Sequence, residues 1–207
     1  MQALLVHGMG RTPLSMWRLG AALRRADVPV EQFGYVAAWQ PVDAIVHRLE
    51  RRLARLADRE YLAIGHSLGG LLLLRAVALV EPAARPAAIV MLGTPHRAPR
   101  LAQRFARSWW YRLLNGDAGE LLASPERMRA VPVPLIPLVI IAGTGGPRGR
   151  FSPFGHDVND GIVAMSEVVR TDATVHEVGA LHPFLMNQRV ARALILARAT
   201  RPREDVP

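Results

Sequence analysis

The 207-residue chain has no cysteine, so disulfides and thiolate-held metals are excluded and redox chemistry says nothing about its compartment. It has no lysine either: all 26 basic side chains are arginine. Arginine replacing lysine throughout reads as a codon-level bias, not a binding stripe. Arg48, Arg51, Arg52 and Arg55 fall on one helical stretch and read as a solvated face. The net charge of +9 is therefore not taken as a sign of nucleic-acid binding, and no nucleic-acid partner is expected. Attraction to anionic surfaces stays open, with transient membrane-surface contact as one form of it. Apolar runs long enough to cross a bilayer are also missing. The longest, residues 131–142, has three prolines near its start and reads as a loop feeding a buried strand. The apolar run of residues 3–6 is too short, and lacks the basic flank, for a signal peptide, so a cytoplasmic address is expected.

What is present is apolar. Half of the residues are hydrophobic and only 21% are charged, which argues against disorder. Apolar runs alternate with helical patterns from end to end, the signature of a parallel sheet covered on both faces. Strands are expected at 2–6, 30–36, 61–65, 87–92, 135–142 and 174–178. Helices are expected at 15–26, 41–57, 67–80 and 184–198. The second of these carries Ile45, Leu49, Leu53 and Leu56 at helical spacing. The expected fold class is α/β, a mainly parallel sheet of about six strands with helices on both faces. One domain is expected over residues 1–199, with a small helical cap within 98–130 and a flexible tail at 200–207.

The strongest local signal is Gly65-His66-Ser67-Leu68-Gly69, extended by Gly70, between an apolar strand and an apolar helix. A serine hydroxyl attacks well only when it is exposed, deprotonated by a neighbour and paired with an oxyanion trap. A sharp strand-to-helix turn projects the side chain above the sheet, and its crowded backbone demands glycine two residues before and after. The alternative is a packing turn in which Ser67 caps the helix. His7-Gly8-Met9-Gly10 follows the first strand, where glycines let the chain double back. The amides of Met9 and Leu68 are the expected oxyanion hole, with His7 holding the loop.

The base must follow the serine in chain order, which leaves His96, His156, His176 and His182. His182 lies just after the last strand and before the last helix and is favoured. His176 sits within that strand, and His96, in Gly93-Thr94-Pro95-His96, is expected to line the cleft. Asp157, Asp160 and Asp172 compete for the orienting carboxylate. Asp160 is favoured, because Gly161 permits a turn aimed at the histidine, and Asp157 is the main rival. Turn chemistry or a calcium loop are other readings of this Asp-Asn-Gly cluster, the latter short of ligands.

Taken in order, these segments resemble bacterial α/β-hydrolases of the lipase and esterase kind. The shared features are His-Gly-x-Gly, Gly-His-Ser-Leu-Gly-Gly, Gly-Thr-Pro-His, Asp-Gly-x-Val and a late His-x-Phe-Leu-Met, spanning His7 to Met186. The resemblance implies a Ser67, Asp160, His182 triad with Met9 and Leu68 as the oxyanion hole, and needs no cofactor or metal. It is similar to compact lipases that begin at the family's third strand. Residues 147–157 carry no family signature.

Residues 95–131 form the largest insertion, with Leu101, Phe105, Trp109 and Leu113 at helical spacing. They read as an amphipathic helix packed on the sheet, or as a cap whose apolar side meets acyl chains or a lipid surface. Trp109, Trp110, Phe184, Met186 and His96 are the expected substrate contacts. The expected activity is cleavage of a small-molecule acyl ester or lipid through an acyl-enzyme. The alternatives are a thioesterase or acyltransferase with the same triad, and a non-catalytic hydrolase-like binding protein.

Overall fold

A computed structural model describes residues 1–200; the tail expected to be flexible lies, beyond Thr200, outside the described residues. The six apolar runs form β1 (Gln2–Val6), β2 (Val30–Phe33), β3 (Tyr61–His66), β4 (Ala88–Leu92), β5 (Leu138–Gly143) and β6 (Thr174–Val178). All neighbours pair in parallel, in the order β2-β1-β3-β4-β5-β6. The helices are α1 (Trp17–Arg24), α2 (Val42–Ala54), α3 (Leu68–Val77), α4 (Arg100–Phe105), α5 (Trp109–Ala123), α6 (Pro125–Arg129), α7 (Met165–Val168) and α8 (Arg189–Ala199).

The pleat sorts each strand's side chains onto two faces. Ala3, Leu5, Leu62, Ile64, Val90 and Leu92 meet Leu19 and Leu23 of α1 and Ala191 and Ile195 of α8. Leu4, Val6, Tyr61, Ala63, Ile89 and Met91 meet α2 and α3 through Ile45, Leu49, Leu53, Leu71 and Leu72. Every residue of β3 is buried, and so is every residue of α3 except Arg75. Such burial contributes about 1.5–3 kcal/mol per large apolar side chain, which fixes the strand and helix that carry Ser67. Because all strands run the same way, every strand-to-helix segment emerges at one edge of the sheet.

Several boundaries differ from the sequence reading, among them β2, which stops at Phe33 rather than Val36, and three departures have a local cause. β5 begins at Leu138, because Pro134 and Pro137 have no N–H to donate to a ladder. Pro137 contributes only its carbonyl, to the amide of Ile89 at 3.0 Å, and Leu135 is exposed. The closing helix is split: His182–Asn187 is a 3₁₀ turn and α8 starts at Arg189. The segment expected to form a cap is not one helix, for α4 ends at Phe105 and α5 starts at Trp109, so the four-residue apolar stripe does not form a continuous face. Within α5 a left-handed Gly116 (φ +51°) breaks the helix again; a side chain there would strike the carbonyl of Ala38 at 2.7 Å. Among the described residues no helix is long and apolar enough to cross a membrane.

Candidate active site

Ser67 links β3 to α3 with φ +52° and ψ −122°, a conformation that is strained for any residue with a side chain. Its surroundings hold it there. Its N–H donates to the carbonyl of Leu92 at 2.8 Å, and its own carbonyl accepts from the amide of Gly70 and the hydroxyl of Thr94, both at 3.0 Å. The glycines of the motif now have specific reasons. A Cβ at Gly65 would run into the backbone of Gly70, one at Gly69 into the carbonyls of Val6 and His7, and one at Gly70 into Thr94. The end of β1 and the start of α3 are thus in backbone contact.

His7 is buried and stacked flat on Tyr35, ring centroids 4.2 Å apart. Its Nδ1 lies 2.8 Å from the carbonyl of Gly8, and its Nε2 accepts from the amide of Tyr35 at 3.3 Å. One donor and one acceptor specify the neutral Nδ1–H form. Burial also lowers the ring's pKa, and the Tyr35 hydroxyl clamps the carbonyl of His7 at 2.8 Å. The next residue passes over the serine: a Cβ on Gly8 would lie 3.2 Å from that of Ser67. Met9 follows, half-buried, and Leu68 opens α3, where helix geometry leaves the first amides without intrahelical acceptors.

The Nδ1 of His182 lies 2.6 Å from Oδ2 of Asp160, with both residues buried. The other oxygen, Oδ1, accepts from the amides of Ile162 at 3.0 Å and Val163 at 2.8 Å, so the carboxylate is held on both sides. Gly161 (φ +91°) makes that turn, and the amide of His182 donates to the carbonyl of Asp160 at 2.9 Å. The competing carboxylates are engaged elsewhere: Asp157 pairs with Arg100, and Asp172 with Arg170 at 2.8 Å. His156 is exposed, and His176 lines a cavity of about 250 Å³ with Val90, Val139 and Leu194 on the α8 face. The Ser67 hydroxyl is not hydrogen-bonded to His182 among the described residues, whose Nε2 has no protein partner.

His66 supplies a link that the sequence reading missed. It is buried beside Ser67, its Nε2–H donates to the carbonyl of His182 at 3.0 Å, and the two rings lie 4.9 Å apart. Burial and the neighbouring His182 push its pKa well down, so it is neutral. A histidine in an otherwise apolar strand needs a partner when buried, and that was the available signal. Two further tethers were also missed. Asn159 donates to the carbonyls of Pro147 and Asp157, both at 2.9 Å, and its Oδ1 accepts from Gly161, ordering the loop that lacked a signature. Buried Glu167 accepts from the amides of Arg100 and Ala164, both at 2.8 Å, and its carbonyl holds the amide of His96.

The expected substrate contacts divide. Trp109, Trp110 and Phe184 are exposed on segments that follow strand ends. Met186, expected in the cleft, is fully buried in the core between the sheet and α1 and α8, because the 3₁₀ turn rotates it inward. His96, also expected in the cleft, lines a cavity of about 260 Å³ with Leu71, Leu74 and Met128, where desolvation lowers its pKa. Among the described residues no group of three or more His, Asp or Glu could hold a metal ion.

No family model and no curated protein matches the sequence. Solved structures do match the fold. A mature lipase of Bacillus licheniformis, BlEst2, superposes with a TM-score of 0.75 at 18% identity, over 97% of this chain and 92% of that one. A monoacylglycerol lipase of Paleococcus ferrophilus gives 0.61 at 17% identity, over 96% and 95%. The Vlm2 thioesterase domain gives 0.59 at 17% identity, over 95% and 91%. At these identities the likeness establishes the architecture, that of the α/β-hydrolases.

Proposed function

We propose that this α/β-hydrolase-fold protein is a serine hydrolase that cleaves carboxylic esters through an acyl-enzyme. The observation carrying the reading is the buried 2.6 Å bond from His182 to Asp160, at the same sheet edge as the strained Ser67. In this scheme Nε2 of His182 takes the proton of the Ser67 hydroxyl as its oxygen attacks the ester carbonyl. Asp160 holds the Nδ1–H tautomer and stabilises the imidazolium. The amides of Met9 and Leu68 receive the oxyanion. Collapse expels the alcohol, protonated by His182, and leaves acyl-Ser67. Water, deprotonated by the same ring, then releases the acid.

The test is covalent labelling by a fluorophosphonate together with turnover of p-nitrophenyl acetate, butyrate and longer esters. Labelling and turnover lost in Ser67→Ala and His182→Ala, with folding intact by circular dichroism, support the scheme. A wild-type protein that neither labels nor turns over any ester removes it and favours a binding role. Because similar folds include thioesterases, an acyl-thioester belongs in the series. Higher efficiency on it would make the natural acceptor chemistry that of a thioesterase.

A further inference from the structure

Exposed large hydrophobic side chains are not spread over the molecule. Thirteen of the sixteen among the described residues lie in segments that leave the carboxyl ends of strands, ending with the first residue of α1 and the first half of α5. The three exceptions are Leu79, Leu135 and Val190. All four tryptophans are in the majority: Trp17 after β1, Trp39 after β2, Trp109 and Trp110 after β4. Trp39 is 84% and Trp109 76% exposed. Parallel topology brings these segments to one edge, and the contact of Gly116 with Ala38 ties the cap to the loop after β2. A soluble monomer seldom concentrates apolar surface in this way without something to cover it.

Charge on this edge is equally one-sided. Its carboxylates are all engaged: Asp43 with Arg75, Asp117 with Arg127, Asp157 and Glu167 with Arg100, and Asp160 with His182. Arg18, Arg104, Arg107, Arg148 and Arg150 are exposed there and unpaired with any carboxylate among the described residues. Two of them lie over aromatic rings, Arg18 on Trp17 at 5.6 Å and Arg150 on Phe151 at 4.6 Å. Amphipathic aromatic rings interleaved with free guanidinium groups suit the boundary between acyl chains and anionic headgroups.

We infer that the strand-end edge as a whole, not the cap alone, is a docking face for an anionic phospholipid surface, with the active centre opening toward the membrane. Apolar rings enter the headgroup layer while the arginines neutralise lipid charge. The inference rests on the ester-hydrolase reading only for the place of the active centre, and its test uses Ser67→Ala protein so that lipid cleavage plays no part.

Ser67→Ala full chain is mixed with phosphatidylglycerol vesicles and, separately, with phosphatidylcholine vesicles, then pelleted and read by tryptophan emission. Pelleting and a blue shift with the anionic vesicles, reversed by high salt, are expected. A triple variant, Trp39→Gln, Leu113→Gln and Phe151→Ser, lowers that binding at least tenfold, while Leu135→Gln at the opposite edge leaves it unchanged. Circular dichroism checks that both fold. No pelleting with either vesicle, or equal loss in the Leu135 variant, overturns the inference. So does a lipid-free dimer that the triple variant disperses, which makes a second copy of the chain the occupant. Soluble-ester turnover by the wild type reports separately on the hydrolase reading.

Discussion

At the scale of single residues, the acid assignment is the sharpest issue. Asp160→Asn keeps the shape but replaces an acceptor with a possible donor facing Nδ1 of His182, so the wrong tautomer is favoured. Ester turnover is expected to fall by about two to four orders of magnitude. Asp157→Asn loses only a surface pair with Arg100, and turnover should stay within about twofold of wild type. Equal losses in both would remove the distinction. The buried histidines make a second prediction. His7, His66 and His96 have pKa values lowered by burial, so they bind protons less readily folded than unfolded. Below the unfolded value of about 6.5 the unfolded chain takes up more protons, and stability is lost as pH falls further toward the folded values. Denaturant midpoints should drop between pH 7.5 and 5.5, and less steeply in His66→Gln. The tight turn at Ser67 and the pairing of Asp160 with His182 were legible because each residue sits in a short local motif. The sequence concealed His66, Glu167 and Asn159, whose roles arise from contacts between segments distant in the chain.

At the scale of elements, the elbow is the least tolerant part of the fold. Gly69→Ala sets a methyl against the carbonyls of Val6 and His7, and relief requires β1 and α3 to separate. A cost of about 1–3 kcal/mol is expected, typical of overpacking, with a larger loss of turnover because the amide of Leu68 moves as well. Thermal melting and kcat measured on the same preparation check this; a variant of wild-type stability and rate contradicts the contact. All six strands and helices α1, α2, α3 and α8 were readable, since their apolar periods are strong, whereas the short α6 and α7 were not. The boundaries that slipped did so for local reasons: prolines delaying β5, and a 3₁₀ turn delaying α8. The cap misled for a different reason. Leu101, Phe105, Trp109 and Leu113 keep helical spacing across a break at residues 106–108, and periodicity alone does not register a break.

At the scale of the whole molecule, the core is built without tryptophan, and all four indoles sit on one edge. Tryptophan emission of the lipid-free protein should therefore already lie close to that of the unfolded chain. Unfolding should change it far less than it changes the far-ultraviolet circular dichroism. A large fluorescence transition would mean that the indoles are covered, by the cap or by another copy. The segment from α4 to α5 is fastened at both ends. Its entry is moored at Arg100, through Glu167, to the segment that carries Asp160, and its exit at Asp117, to Arg127 and the amide of Val42. The stretch between is an arch standing on two fixed feet. Any swing open has to bend at its crown, around residues 106–116, and a protease cutting there would leave both stumps in place. A nicked protein should thus keep Asp160 and His182 paired, with only the crown set loose.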